Sequence, residues 1–189
     1  MNIYDTREEM IVATVPKGGI GCEVGIFAGE FAQYLLKFTE PKKLILIDAW
    51  ELVAPNLFCA DQHGNNGVSL PAQVLFNTVK ARFANTPKVE IIKNWSHLAI
   101  HTISDKLDWV YIDADHSYEG CLRDLILIEG KMNENCLIMG HDYLINKEKC
   151  KHNWEFGVGR AVDEFCSMRG WSIIAKGMDG CVSFCLKKC

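Results

Sequence analysis

Short apolar runs alternate with segments of helical periodicity along most of the chain. The runs predict buried strands, and apolar residues spaced three and four apart, such as Phe31, Tyr34, Leu35 and Phe38, predict amphipathic helices. The predicted strands are 20–26, 43–48, 88–93, 108–113, 135–140, 171–176 and 181–186. The predicted helices are 29–38, 73–84, 96–102, 117–130 and 157–169.

The order of these elements indicates an α/β fold. Strands that alternate with helices are typical of a parallel sheet with helices on both faces. The last two strands, 171–176 and 181–186, are joined only by GMDG, which is too short for a crossover helix, so they must pair as an antiparallel hairpin. The sequence therefore predicts a seven-stranded mixed sheet.

Two segments lie outside this alternation. Residues 1–17 predict a short lead-in helix, with Thr6 as its N-cap and Glu8 and Glu9 in its first turn. Residues 54–71 are rich in turn formers, and a loop of that length is typical of a lid over a substrate. No linker or repeat divides the chain, so we predict one domain over residues 1–189.

Composition narrows the class of protein. With 49% apolar and 23% charged residues, the chain is typical of globular proteins. A net charge of −4 and the lack of a basic stretch argue against a nucleic-acid partner. No apolar stretch is long enough to span a membrane, and MNIYDTREEM does not resemble a secretory signal. The nine cysteines contain no C-x-x-C pair, which predicts free thiols in a reducing, cytoplasmic compartment.

The first strand ends in the pattern E-x-G-x-x-x-G, from Glu23 to Gly29. A turn of this kind, between a strand and a helix, lies beside the point where ligands bind in doubly wound sheets. Gly25 and Gly29 would let the backbone approach a ligand closely. A tight turn that binds no ligand is the alternative.

Asp48 ends the second strand, nineteen residues after Gly29. A carboxylate at this place can accept hydrogen bonds from ribose hydroxyls, although it could also cap the next segment. A nicotinamide dinucleotide fits poorly, because Phe27 and Glu30 stand where G-x-G-x-x-G requires glycine. Glu23 would instead suit a cationic ligand such as S-adenosylmethionine, which carries an amine and a sulfonium.

Two polar clusters follow the fourth and fifth strands: residues 113–119 (DADHSYE) and residues 140–143 (GHDY). The carboxyl ends of parallel strands meet at one edge, so these carboxylates and imidazoles should converge. Carboxylates suit Mg²⁺, and imidazoles suit transition metals. Helix capping by Asp115 or Ser117 and turn capping by Asp142 are the alternatives.

Several segments together resemble the class I S-adenosylmethionine-dependent methyltransferases. The closest resemblance is to methyltransferase domain family 24, which includes macrocin-type O-methyltransferases and is related to catechol O-methyltransferases. The segments are EVGIFAGEF, LILIDAW, LDWVYIDADHSYEG, GHDY and GVGRAVDEF, of which IDADHSYEG is the most specific. The resemblance implies a Rossmann-like, seven-stranded sheet with its last strand antiparallel, and methyl transfer from S-adenosylmethionine to a hydroxyl of a small molecule.

The resemblance also implies which residues bind the cofactor and a metal. The cofactor residues would be Glu23, Gly25 and Gly29 for the amino-acid part, Asp48 for the ribose, Trp50, Asn94, Trp95 and Ser96 around the adenine, and Asp113. The metal ligands would be Asp113, His141 and Asp142. Relatives often carry Asp where this chain has His141, so Mg²⁺, a softer divalent metal and no metal all remain open.

His116 is the candidate general base, with Asp113 beside it in the catalytic site. It stands where the catechol enzymes place a lysine, three residues after Asp113. An ordinary histidine titrates near pH 6.5 and can accept a proton at neutral pH. A nearby helix N-terminus or cation would lower its pKa further. Capping of the following helix is the alternative role.

Other functions and partners stay open. A NAD-dependent oxidoreductase and a non-catalytic protein that retains the cofactor fold are the two alternatives. The acceptor could be a sugar, a phenol or a peptide, and self-association into a homo-oligomer is compatible with the sequence. His97 and His101, spaced i, i+4, fit surface or packing roles better than a metal pair.

Overall fold

The computed structural model describes residues 1–51, 71–144 and 156–189. The lid predicted over 54–71 therefore lies, except for Pro71, outside the described residues. The strands are β1 (Asn2–Tyr4), β2 (Ile20–Val24), β3 (Lys43–Asp48), β4 (Val89–Lys93), β5 (Leu107–Ile112), β6 (Met132–Gly140), β7 (Trp171–Gly177) and β8 (Ser183–Lys188). The helices are α1 (Arg7–Thr14), α2 (Glu30–Thr39), α3 (Ala72–Phe83), α4 (Ser96–Thr102), α5 (Tyr118–Glu129) and α6 (Val158–Arg169).

The strands form one mixed sheet in the order β1-β7-β8-β6-β5-β2-β3-β4. β8 runs antiparallel to both of its neighbours, β6 and β7, and every other pair in this sheet is parallel. The predicted fold class and the terminal hairpin are thus confirmed.

The strand count differs from the prediction because β1 precedes α1 within residues 1–17. This segment was expected to form a helix only. β1 pairs with the edge strand β7, and its three residues are too few to show the alternation that reveals a strand in a sequence. Thr6 caps α1 as predicted, accepting a hydrogen bond from the Glu9 backbone N–H at 3.1 Å.

The sheet has a hydrophobic core on each face. Helices α1, α2 and α3 pack on one face and helices α4, α5 and α6 on the other. In the central strand β5, Trp109 and Tyr111 belong to the first core, and Val110 and Ile112 belong to the second. A strand buried on both faces must be apolar throughout, which explains the unbroken run WVYI.

Strands β2 to β7, all parallel to one another, end at the same edge of the sheet, which we call the rim. Gly25, at the end of β2, has a φ of +91°, and a Cβ added to it would lie 1.9 Å from the Asp113 carbonyl oxygen. Only glycine fits here, because its backbone contacts the end of β5 and its φ lies in the left-handed region. This contact brings the turn after β2 against the segment after β5.

Within the described ranges, no helix is both long and apolar enough to cross a membrane. In these ranges Cys22, Cys121, Cys136, Cys166, Cys185 and Cys189 are free thiols, as predicted.

Replacing Gly25 with Ala should destabilise the protein more than replacing Gly18 with Ala. The two glycines have similar φ values, +91° and +85°, but a Cβ at Gly18 would meet open space. We expect Gly18→Ala to cost about 1–2 kcal/mol for the left-handed backbone. Gly25→Ala should cost about 1–3 kcal/mol more, because the ends of two strands must move apart. Urea unfolding of both variants measures this difference, and equal losses would contradict it.

Candidate cofactor and metal site

Glu23 is buried near the end of β2, with 1% of its surface exposed. Within the described residues its Oε2 atom has no hydrogen-bond partner. Burial and the charge of Asp113 raise the pKa of Glu23 well above its usual value, and Arg7 opposes them. A buried carboxylate oxygen without a partner is costly, and a cationic ligand would relieve that cost.

Asp48 holds the glycine turn in place. Its Oδ2 atom accepts hydrogen bonds from the backbone N–H groups of Ile26, at 2.7 Å, and Phe27, at 3.0 Å. Its Oδ1 atom accepts one from the Trp50 N–H at 2.6 Å. Phe27 and Trp50 have φ values of 53° and 44°, so this carboxylate stabilises two strained backbone positions. The predicted contact with ribose would have to use the remaining acceptor capacity of Asp48.

The residues predicted around the adenine differ in exposure. Trp50 is 3% exposed; its indole N–H donates to the Phe27 carbonyl at 2.9 Å, and its ring packs on Phe76 at 4.9 Å. Trp95 is 38% exposed at the start of α4. The Asn94 N–H donates to the Asp48 carbonyl at 3.0 Å, which joins the ends of β3 and β4. Trp50 thus supports the turn from within the core, whereas Trp95 presents an aromatic face to solvent.

Ser96, the third predicted adenine neighbour along this segment, makes a contact with helix α5. Its hydroxyl donates to the Asp124 carboxylate on α5. Asp124 is buried, and burial raises its pKa, with Ser96 and Arg123 opposing the shift. Ser96 therefore joins α4 to α5 in this structure.

Asp113, His116, His141 and Asp142 meet at the rim. Asp113 follows β5, and His141 and Asp142 follow β6, as the sequence predicted. One ligand atom from each of Asp113, His141 and Asp142 lies within 4.8 Å of the others. His116 Nε2 lies 3.0 Å from Asp142 Oδ2 and 3.3 Å from Asp113 Oδ1. His141 Nδ1 lies 3.2 Å from Asp142 Oδ1.

In this cluster, neighbouring charges shift the pKa values in the direction opposite to burial. Burial alone would lower the pKa of His116, but its hydrogen bonds to Asp113 and Asp142 outweigh burial and raise that pKa to about 10. Burial would raise the pKa of Asp142, yet His116 and His141 hold it below its usual value. We expected a lowered pKa for His116, and this expectation is wrong for the arrangement seen here, since its nearest charged neighbours are carboxylates.

The donor atoms of this cluster fit a divalent cation. Two carboxylates and an imidazole offer ligand atoms that all lie within 4.8 Å of one another, a grouping that could hold one metal ion. An imidazole ligand is accepted by Mn²⁺, Fe²⁺, Co²⁺ and Zn²⁺ more readily than by Mg²⁺. His97 and His101 on α4 are not members of this group.

Arg7 also reaches the rim, and sequence reasoning did not identify it. Its Nη1 atom lies 3.8 Å from Asp113 Oδ2, its Nε atom lies 3.7 Å from Asp179 Oδ2, and its guanidinium lies 4.1 Å above the centre of the Phe31 ring. The sequence shows only an arginine at the start of a lead-in helix. Its position depends on the pairing of β1 with β7, which has no signal of its own in the sequence.

A protein-family model assigns the class of protein. The family model for methyltransferase domain family 24, a methyltransferase domain, matches residues 22–143. The match extends over more than half of the chain, so the chain belongs to this family. It is thereby assigned to the S-adenosylmethionine-dependent methyltransferases and not to the nicotinamide-dependent oxidoreductases.

Solved structures agree with this assignment at the level of the fold. Precorrin-6y C5,15-methyltransferase from Geobacter metallireducens matches with a TM-score of 0.64 and 7% identity, over 96% of this chain and 86% of that chain. An rRNA methylase from Streptococcus thermophilus matches with a TM-score of 0.62 and 10% identity, over 96% and 93%. A Streptococcus mutans protein assigned as a methyltransferase, in complex with S-adenosylhomocysteine, matches with a TM-score of 0.62 and 8% identity. The match covers 96% of this chain and 95% of that chain. No curated protein matches the sequence.

Replacing His116 with Gln should destabilise the protein more at pH 6 than at pH 10. The folded-state pKa of about 10 lies above the ordinary value of 6.5. The imidazolium therefore contributes fully to the free energy of unfolding below pH 6.5, and its contribution disappears as the pH rises through 10. We expect a loss of about 1–2 kcal/mol at pH 6, less than for a fully buried pair, because 34% of the side chain is exposed.

Urea unfolding at both pH values, in EDTA so that no metal ion competes for the carboxylates, measures the effect. His101→Gln, on the exposed side of α4, is the control for the substitution itself. A loss of equal size at both pH values would contradict a charged His116.

Proposed function

We propose that the chain transfers a methyl group from S-adenosylmethionine to a hydroxyl group of a small molecule, with a divalent cation at the rim. One observation carries this proposal. The buried Glu23 carboxylate, whose Oε2 atom has no hydrogen-bond partner among the described residues, lies beside the glycine turn, at the same edge of the sheet as the cluster of Asp113, His141 and Asp142. A site for a cationic cofactor and a site for a metal ion thus adjoin each other.

The cofactor residues follow from this arrangement. Glu23 would accept hydrogen bonds from the ammonium group of the methionine part. Gly25 and Gly29, both with positive φ, would let the backbone approach the cofactor. Asp48 would accept hydrogen bonds from the ribose hydroxyls, and Asn94 and Trp95 would lie along the adenine. Trp50 would support the glycine turn from the core side. The bound cofactor supplies a methyl group on an electrophilic sulfonium.

Asp113, His141 and Asp142 would hold the metal ion, and such an ion would supply a Lewis acid that lowers the pKa of the acceptor hydroxyl. The residues of the chain would then hold the acceptor oxygen in line with the methyl group, and this positioning supplies most of the catalysis. A hydroxyl acceptor fits this proposal because oxygen is a good ligand for such an ion.

His116 is the candidate to take the proton from the hydroxyl. As long as Asp113 and Asp142 both hydrogen-bond to it, its imidazole is charged and cannot accept a proton at neutral pH. It can act as the base only when those carboxylates are engaged by another partner. Replacing it with Gln should then lower kcat by about 10²–10⁴, the usual range for general base catalysis.

A small acceptor is supported by the charge of the chain. The net charge is −4, and the rim carries the carboxylates of Asp113 and Asp142. A nucleic acid would be repelled by such a surface, because its binding depends on neutralising phosphates with basic side chains. We therefore favour a sugar or a phenol as acceptor. Detection by mass spectrometry of a product with one added methyl group would establish catalysis.

Calorimetry should detect binding of S-adenosylhomocysteine, whereas NADH at the same concentration should not bind. Glu23→Gln should weaken S-adenosylhomocysteine binding by about 10- to 100-fold, because it removes a charged hydrogen-bond partner. Glu134→Gln, on an exposed residue at the opposite edge of the sheet, should leave the affinity unchanged. Binding of NADH without binding of S-adenosylhomocysteine would exclude the proposed function.

Chelation should abolish methyl transfer, and Asp142→Asn should do so without unfolding the protein. Asp105→Asn, at the opposite edge of the sheet, is the matched control. Co²⁺ and Mn²⁺ should bind more tightly than Mg²⁺ in calorimetry, because His141 supplies an imidazole. His141→Asp should shift this preference toward Mg²⁺. Full activity in excess EDTA would show that the rim works without metal.

A further inference from the structure

The start of the chain is fixed against the rim. Tyr4, the last residue of β1, pairs with Gly177 at the end of β7, and the Met178 N–H donates to the Tyr4 carbonyl at 3.0 Å. A Cβ on Gly177 would lie 2.7 Å from the Arg7 Cα atom, so the backbone of Arg7 packs directly on β7. The Arg7 side chain therefore starts from a fixed position at the rim.

The guanidinium of Arg7 hydrogen-bonds to the Tyr111 side chain, and its carboxylate neighbours lie farther away than in a strong ion pair. Its nearest carboxylates in the described part of the chain are Glu8 at 3.3 Å, Asp179 at 3.7 Å and Asp113 at 3.8 Å. Strong charge-assisted hydrogen bonds measure about 2.7–2.9 Å. The Phe31 ring lies beneath the guanidinium at 4.1 Å and supports its flat face. The fork of N–H donors thus keeps capacity for a closer anionic partner.

The positive charge of Arg7 also lowers the pKa of Glu23, in opposition to burial. The charges that influence the Glu23 carboxylate most are those of Asp113, Arg7 and Asp48, and Arg7 is the one cation among them. A carboxylate ligand entering this region would be repelled by Glu23, Asp113 and Asp179 unless a cation received it. Arg7 is in contact with two of these three residues.

We propose that Arg7 binds the carboxylate of the methionine part of the cofactor while Glu23 binds its ammonium group. This inference rests on the proposed function, since it assumes S-adenosylmethionine in the site. A free α-amino acid group carries an ammonium and a carboxylate on the same carbon atom, and Arg7 and Glu23, which influence each other electrostatically, offer one charge of each complementary sign. The planar guanidinium can hold a carboxylate with two parallel hydrogen bonds, which a lysine cannot do.

The test compares two ligands that differ only in the amino-acid part. S-adenosylhomocysteine carries that part, and 5′-methylthioadenosine lacks it. Calorimetry on Arg7→Gln should show S-adenosylhomocysteine binding weakened by about 10- to 100-fold, the range for a lost charged hydrogen bond. Affinity for 5′-methylthioadenosine should stay within about twofold of the unsubstituted protein. Arg7→Lys should recover part of the loss, since it keeps the charge but not the fork.

Two further variants separate binding from a structural role. Arg169→Gln removes an arginine that pairs with Glu129, away from the rim, and should change neither affinity. Asp179→Asn removes one carboxylate neighbour of Arg7 and should not weaken S-adenosylhomocysteine binding, because the guanidinium keeps its charge and one repelling carboxylate is lost. Circular dichroism checks that each variant is folded, and Arg7→Lys remains available as the test if Arg7→Gln does not fold.

The outcomes are distinct. Equal losses for both ligands in Arg7→Gln would assign Arg7 a structural role and overturn the inference, and so would unchanged binding of S-adenosylhomocysteine. Failure of the unsubstituted protein to bind either ligand would instead refute the proposed function. A loss confined to S-adenosylhomocysteine supports the inference.

Discussion

The contact between the Gly25 backbone and the Asp113 carbonyl leaves no room for a side-chain atom, and the rim depends on it. Through this contact the turn after β2 packs on the end of β5. The Asp48 carboxylate, at the end of β3, accepts hydrogen bonds from two backbone N–H groups of the same turn. Three strand ends are thereby joined through main-chain contacts. Glu23 is enclosed beneath them. The shape of the rim thus comes from the chain itself, and a ligand would enter a site that is already formed.

Electrostatics at the rim follow from this enclosure. Glu23 and Asp142 are buried carboxylates, and the partly buried Asp113 interacts with both of them. Each has a cationic or ionisable neighbour: Arg7 near Glu23 and Asp113, and His116 and His141 near Asp142. These neighbours compensate the negative charge only in part, because one oxygen of Glu23 has no hydrogen-bond partner among the described residues. Buried charge that lacks full compensation lowers stability and favours binding of a cation. The proposed cofactor and metal ion both bring positive charge to the same place.

Much of the fold and part of the site could be predicted from the sequence. Buried strands such as β5 are long apolar runs, and the GMDG connection permits only a hairpin. The convergence of Asp113, His141 and Asp142 followed from the rule that parallel strands end at one edge. Local sequence patterns do not encode contacts between distant segments. The features that the sequence did not predict all depend on such contacts. β1 is three residues long and forms only against β7, the Trp50 ring is buried by Phe76, and the pKa of His116 depends on a carboxylate from another strand.

The pairing of β1 with β7 has a consequence for where this protein can be divided. The family match begins at residue 22, but Arg7 contacts Asp113 inside the matched region, and Met10 and Ile11 of α1 are fully buried against the sheet. A fragment cut at the family boundary would expose that apolar surface and remove a cation from the rim. Deletion endpoints, affinity tags and comparisons with relatives should therefore keep the residues from β1 to α1.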